Sequence, residues 1–189
     1  MKKGTLFILS APGGTGKTTL ANRLVNAFDD VVKSVSLTTR KKRPGEVCGI
    51  DYVFTDRALF EKKISEDAFI ECSEVFGNWY GVEKSRVFAA LNQGKHVILV
   101  IDVQGAIKVQ EQLHVVSIFV SPPSIDELKR RLEDRGSGQA ELEVRLKAAH
   151  SEMEMIHHYD HHVVNDCLEA ATEELKTIFI QSGATPKGT

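Results

Sequence analysis

The stretch Leu6-Phe7-Ile8-Leu9-Ser10-Ala11-Pro12-Gly13-Gly14-Thr15-Gly16-Lys17-Thr18-Thr19-Leu20 decides the fold. Thr5 to Ser10 reads as a short buried strand. Ala11 to Gly16 is a glycine-rich turn, and Lys17 to Phe28 a helix with Leu20, Leu24 and Ala27 on one face. The turn matches GxxxxGK[ST] except that Ala11 stands at the first glycine. A strand, a glycine turn and a helix start together aim backbone N–H groups and a positive helix end at phosphate oxygens. Within that pattern Lys17 reaches the β- and γ-phosphates and Thr18 offers its hydroxyl to Mg²⁺. The plainer reading, a glycine turn beside a surface lysine, fits the strand–turn–helix setting less well.

Outward from the loop, the chain continues as an α/β protein. His96 to Ile101 and Val115 to Val120 are continuous apolar runs of the kind that parallel sheets bury on both faces. Between Val35 and Glu83 short alternating pieces, such as Asp51-Tyr52-Val53-Phe54 and Ala68-Phe69-Ile70-Glu71, predict a small β-containing lobe inserted into the core. Ser85 to Leu91 resumes as helix. After Pro122-Pro123, Ser124 and Glu127 form a capping box for a helix to about Arg135, with Ile125, Leu128 and Leu132 behind it. A second helix carries Leu142, Leu146, Ala149, Met153 and Ile156. A strand at Val163-Val164 and a helix from Leu168 to Ile180 follow, and Gly183 to Thr189 reads as a frayed tail.

Composition limits the functions open to this fold. The 189 residues carry 24 Lys+Arg against 26 Asp+Glu, a formal charge of −2, with 42% hydrophobic and 26% charged residues. That is an ordinary globular balance, enough for one domain, and it lacks the basic excess of a nucleic-acid binder. Lys2-Lys3 before Leu6–Leu9 imitates a signal peptide, but the apolar run is too short. Val97 to Ile101 falls far below the ~20 residues of a membrane span. Cys48, Cys72 and Cys167 are scattered and odd in number. A reducing, cytoplasmic setting is expected, without membrane or nucleic acid.

Several other residues carry chemistry. Asp102 follows the buried run at 97–101, where a carboxylate points into the crevice that binds ligands in such folds; the competing reading is a cap on the turn into Gln104-Gly105. Arg40, Arg43, Tyr52 and Tyr80 share the inserted lobe, and forked guanidiniums with phenol hydroxyls suit a phosphate monoester. Read alone, Arg40-Lys41-Lys42-Arg43 has a competing reading as a solvated basic turn, which the flanking tyrosines weaken.

The ordered series Ser10-Ala11-Pro12 with Gly13-Gly14-Thr15-Gly16-Lys17-Thr18-Thr19, Ser36-Leu37-Thr38-Thr39-Arg40, Arg43-Pro44-Gly45-Glu46, Gly49-Ile50-Asp51-Tyr52-Val53-Phe54, Gly77-Asn78-Trp79-Tyr80-Gly81, Asp102-Val103-Gln104-Gly105, Pro122-Pro123-Ser124, Arg135-Gly136 and Val164-Asn165-Asp166 resembles guanylate kinase, from about Thr5 to Ile180. The resemblance implies transfer of the ATP γ-phosphoryl group to GMP, giving ADP and GDP, in purine nucleotide metabolism and GMP recycling. It implies a P-loop NTPase-type parallel-sheet core (1–34, 84–123 and 159–189) flanked by helices, a small β-containing NMP-binding lobe (35–83) and a helical lid (124–158). By motif position Ala11, Pro12, Gly13, Gly14, Thr15, Gly16, Lys17 and Thr18 would bind ATP, with Asn165 beside its base. Ser36, Arg40, Arg43, Tyr52, Glu71, Tyr80 and Asp102 would bind GMP. Lys17, Arg131, Arg135 and Arg145 would be catalytic, and Mg²⁺ would meet Thr18 and, as a second candidate, Asp102. A monomer or weak homodimer is expected. Guanine's N1–H and N2–H₂ edge suits the acceptor carboxylates Glu71 and Asp102. Plainer readings leave Glu71 a solvated strand residue and pair the lid arginines with Glu127, Glu141 or Glu143 on helix surfaces.

The pattern breaks at two places. Val82 stands where the family usually has Ser or Thr near guanine, and Val100 where it tends to have Asp in an Asp-Ile-Asp run. His157-His158-Tyr159-Asp160-His161-His162 reads as a pH-sensitive turn at a helix end; a transition-metal site is the competing reading. Two rival functions remain: an inactive binding module for phosphorylated partners, and a kinase for another nucleoside monophosphate.

Overall fold

The computed structural model describes residues 3–75, 77–134, 136 and 138–188. In chain order the elements are β1 (Leu6–Ser10), α1 (Lys17–Ala27), β2 (Val31–Lys33), β3 (Leu37–Thr38), β4 (Val53–Phe54), α2 (Arg57–Ser65), β5 (Phe69–Val75), β6 (Asn78–Glu83) and α3 (Lys84–Asn92). There follow β7 (His96–Val100), α4 (Val103–Gln112), β8 (Val116–Ser121), α5 (Ile125–Asp134), α6 (Gln139–Glu154), β9 (His161–Val164) and α7 (Leu168–Gln181).

Five strands form a parallel sheet in the order β2-β7-β1-β8-β9. Every residue of β1 is buried, and alternation sends its side chains into two layers. Phe7 and Leu9 pack with Leu20 and Leu24 of α1 and Leu175 and Phe179 of α7, the Phe7 and Phe179 rings stacked at 3.9 Å. Leu6 and Ile8 pack on the opposite side with Val87 and Leu91 of α3 and Ala106 and Val109 of α4. The apolar runs of the sequence are therefore sheet interior, as a helix–sheet–helix architecture requires.

The lobe between β2 and α3 is a four-stranded mixed sheet in the order β4-β3-β6-β5. Helix α2, not anticipated from sequence, covers it by laying Phe60 on Phe69 and Trp79, with centroids 4.6 and 5.8 Å apart. Gly81 allows that packing, since a Cβ there would lie 2.8 Å from the Phe69 ring. Helices α5 and α6 pair through Leu128, Leu132, Leu142 and Ala149, and Ser124 Oγ accepts from the Glu127 N–H at 3.1 Å.

The tail corrects the sequence reading. Residues 183–187 are bound to the core rather than frayed: Ala184 is buried, the Thr185 N–H donates to both Asp30 carboxylate oxygens, and Pro186 pairs with Phe28. The carboxyl ends of β1 and β7 point to one edge of the parallel sheet, and there the glycine turn and Asp102 lie.

Candidate active site

The turn after β1 is shaped by two left-handed glycines, Gly14 and Gly16 (φ 98° and 102°). Gly16 starts α1, its carbonyl accepting from the Leu20 N–H at 3.0 Å, and no side-chain cap closes the helix start. The first-turn N–H groups of α1 thus face the loop. Lys17 folds back so that Nζ donates to the Ala11 carbonyl. Burial lowers its pKa, while the charges of Glu152 and Asp102 act against that shift. Thr15 Oγ1 is buried without a hydrogen-bond partner among the described residues.

The α5–α6 pair sits on this turn. A Cβ on Gly14 would lie 2.8 Å from Leu132 Cδ2, and one on Gly13 4.0 Å from Arg145 Nη1. Arg131 donates from Nη1 to the Asn165 carbonyl at 3.0 Å and from Nε to Glu127 at 2.8 Å. Arg145 bonds Glu141 at 2.6 Å, yet its Nε is buried and, among the described residues, unpaired. The i,i+4 partners read from sequence are therefore present, and both side chains still reach the loop side. Asn165 bonds the loop backbone itself, Nδ2 to the Thr15 carbonyl at 2.6 Å. Arg135 lies outside the described residues.

A cavity of about 240 Å³ opens between the turn and the lobe. Thr18 lines it from α1; Arg40, Arg43, Tyr52 and Tyr80 line it from the lobe, with Ser36 beside them. Arg40 is not a solvated turn residue. Its guanidinium holds Glu46 at 2.6 and 3.1 Å, Tyr80 Oη at 3.2 Å and the Lys41 carbonyl at 2.7 Å, and lies 5.3 Å from the Tyr52 ring centroid. The Arg40 guanidinium in turn holds the Glu46 carboxyl below its usual range.

Glu71 and Asp102 meet where β5 crosses the start of α4. Asp102 is the N-cap of α4, Oδ1 accepting from the Gly105 N–H at 2.8 Å, while Oδ2 accepts from Ser73 Oγ at 3.3 Å. The capping reading of Asp102 is thus correct in part. Glu71 is only 6% exposed, so the solvated-strand reading fails, and its Oε1 has no partner among the described residues. Burial, and next the charge of Asp102, push its carboxyl up to about 7; Ser73 and Lys108 oppose this. A buried acceptor lacking a donor costs about 1–3 kcal/mol, a cost a ligand donor can remove.

Residues 3–182 match the family model described as guanylate kinase. The chain belongs to the guanylate kinase family. It is 46% identical over 180 residues to a guanylate kinase of Protochlamydia amoebophila, covering 95% of this chain and 91% of that one. A guanylate kinase of Alkalilimnicola ehrlichii is 46% identical over 178 residues, covering 93% and 88%. The crystal structure of guanylate kinase from Anaplasma phagocytophilum superposes with a TM-score of 0.80 at 40% identity, covering 95% of this chain and 86% of that one. Phosphorylation of GMP is the reaction of guanylate kinases, and the chain is a phosphotransferase of that class.

Some neighbours of this guanylate kinase site carry no local signal. Lys108, Glu152 and Tyr159, from α4, α6 and the bend before β9, are brought to Glu71, Asp102 and Lys17 only by the fold, whereas Ser73 lies two residues from Glu71 on β5. Burial, with Asp102 and Glu152 adding to it against Ser10, pushes the Tyr159 phenol up to about 12. The histidine run divides: His157 and His158 end a 3-10 turn, and His161 and His162 enter β9, with His162 Nε2 2.8 Å from Ser121 Oγ. Among the described residues no group of three or more His, Cys, Asp or Glu could hold a metal ion, and no helix is long and apolar enough to cross a membrane.

Proposed function

We propose that Ala11–Thr18 holds the phosphates of ATP and that the neighbouring cavity holds the phosphate of GMP between Arg40, Arg43, Tyr52 and Tyr80. The observation that carries this reading is that Thr18 and those four side chains line one cavity. Glu71, Asp102 and Ser36 face guanine: the unpartnered Glu71 oxygen accepts from its N1–H and N2–H₂ edge, which adenine lacks. An oxygen of the GMP phosphate attacks the γ-phosphorus and the bond to the ADP oxygen breaks, so no general base is required. Lys17, Arg131 and Arg145, with Arg135, spread positive charge over the transferring oxygens from the turn and from the α5–α6 pair seated on it.

The donor set fits Mg²⁺ carried by ATP. Thr18 supplies a hydroxyl oxygen at the cavity wall, and nucleotide phosphates and water complete such a shell. Asp102 has both carboxylate oxygens hydrogen-bonded, which favours Thr18 over Asp102 for this contact. When bound, Mg²⁺ neutralises charge on the β- and γ-phosphates. The reading keeps the division into core (1–34, 84–123, 159–189), acceptor lobe (35–83) and lid (124–158). It sets the enzyme in the cytoplasm as a monomer or weak homodimer, acting on nucleotides rather than on nucleic acid or membrane.

A coupled assay with ATP, Mg²⁺ and GMP, AMP, CMP or UMP in turn tests it. Turnover of GMP alone is expected, and Lys17→Ala should lose about 10²–10³-fold in kcat as one transition-state cation is removed. Equal turnover of another acceptor, or GMP binding without turnover, overturns the assignment.

A further inference from the structure

Lys33, at the end of β2, is assigned no role by the sequence pattern, yet it lines the same cavity as Thr18, Arg40, Arg43 and Tyr80. Its place follows from register. Lys33 pairs with Ile98 in the parallel ladder, and Val31, two residues earlier, packs with Ile98, Leu20 and Leu24, so Lys33 leaves the sheet on the α1 side. Its Nζ donates to Asn22 Oδ1 at 3.0 Å, and Asn22 lies one helical turn beyond Thr18 on α1. Val100, two residues beyond Ile98 and on that same side, lines the cavity as well.

Two observations give this ammonium work to do. Arg40 makes four hydrogen bonds, two of them to Glu46, and a guanidinium has five N–H groups. Its charge is balanced by Glu46 before any substrate arrives. Val100 contributes no carboxylate that would hold Lys33, and the anion acting on Lys33 is Asp51 across the cavity. Burial already disfavours the Lys33 charge, so a phosphate dianion offers it more than water does.

We propose that Lys33 is a binding residue for the acceptor phosphate, its ammonium passing from Asn22 to a phosphate oxygen of GMP. This rests on the assignment of GMP to that cavity.

The test compares Lys33→Met, which keeps the aliphatic stem, with Lys33→Arg, which keeps the charge. Binding of GMP and of guanosine is measured by calorimetry without ATP, beside KM for GMP and for ATP and a thermal melt. Lys33→Met should weaken GMP binding and raise its KM by about tenfold or more, the value of a charge-assisted hydrogen bond, with guanosine affinity and the KM for ATP nearly unchanged. Lys33→Arg should restore most of the loss. GMP binding by Lys33→Met within about twofold of the wild type overturns the proposal, as does an equal loss for guanosine, which marks a structural role. If Lys33→Met does not fold, GMP binding by Lys33→Arg as strong as the wild type with a lowered salt dependence also overturns it, because a retained phosphate contact keeps that dependence. A wild-type enzyme that binds no GMP overturns the cavity assignment itself, and with it this proposal.

Discussion

Asn165 and Thr15, 150 positions apart in the chain, are joined by a hydrogen bond of 2.6 Å from the Asn165 side-chain amide to the Thr15 carbonyl oxygen. The same amide nitrogen lies where a Cβ on Gly16 would meet it at 2.8 Å, and the Asn165 backbone carbonyl accepts from Arg131. One residue after β9 thus holds both the glycine turn and Arg131 of α5. Asn165→Ala should cost about 1–3 kcal/mol of stability, the price of orphaning a buried acceptor. It should also raise KM for ATP more than KM for GMP. Thermal unfolding and two-substrate kinetics read both effects; an unchanged KM for ATP contradicts the clamp.

A second prediction follows from Glu71, whose carboxyl is pushed up to about 7 in the folded protein by burial and the charge of Asp102, from an ordinary value of 4.5. The folded enzyme therefore binds more protons here than the unfolded chain does between those two values. Stability falls as pH rises from about 4.5 to about 7, and the loss is complete above that window. Glu71→Gln removes this term. The stability of the wild type relative to Glu71→Gln should decline across that window and then level off. Guanine needs the ionised acceptor, so GMP affinity should fall below about pH 7 in the wild type relative to the variant profile. Parallel profiles for the two proteins in both measurements would remove Glu71 from this role.

The glycine turn was legible because its whole signal is local: an apolar strand, a turn and a helix start in direct succession. The i,i+4 partners of Arg131 and Arg145 were legible for the same reason. Helix α2 was not, because Phe60 is its one buried residue and leaves almost no apolar stripe. Helix α4 was hidden by Gly105, which looks like turn chemistry but is required by the approach of Glu71. The tail resembles a frayed end in composition, and Asp30, far away in sequence, orders it. Lys33 and Glu46 needed the fold, since their importance lies in which side chains share a cavity.

Gly105 gives a third prediction. It lies inside α4 with ordinary helical backbone, where alanine alone would favour the helix by about 1 kcal/mol. A Cβ there, however, would sit 2.7 Å from Glu71 Cδ and 2.8 Å from Oε1. Gly105→Ala should therefore displace the Glu71 carboxylate while leaving the phosphate turn in place. KM for GMP should rise by about tenfold or more, the worth of a hydrogen bond to a charged group, with KM for ATP almost unchanged. A variant with wild-type KM for both substrates would mean that Glu71 does not hold guanine.

Val82 gives the last. It sits opposite Glu71 in the β5–β6 ladder and is 1% exposed, and the Glu71 oxygen Oε1 has no donor among the described residues. Directly opposed residues in an antiparallel pair bring their Cβ atoms about 4.5–5.5 Å apart on one face. A threonine hydroxyl at this position can reach both Glu71 and a guanine held against it. It replaces a methyl of nearly equal volume beside an apolar cluster that includes Ile70 and Val87, so the cost of burying the hydroxyl is offset only by its pairing with the unmet Glu71 oxygen and the base. Val82→Thr should lower KM for GMP by severalfold and leave KM for ATP unchanged. Steady-state kinetics at fixed ATP decides it: an unchanged or raised KM for GMP shows that residue 82 makes no polar contact with the base.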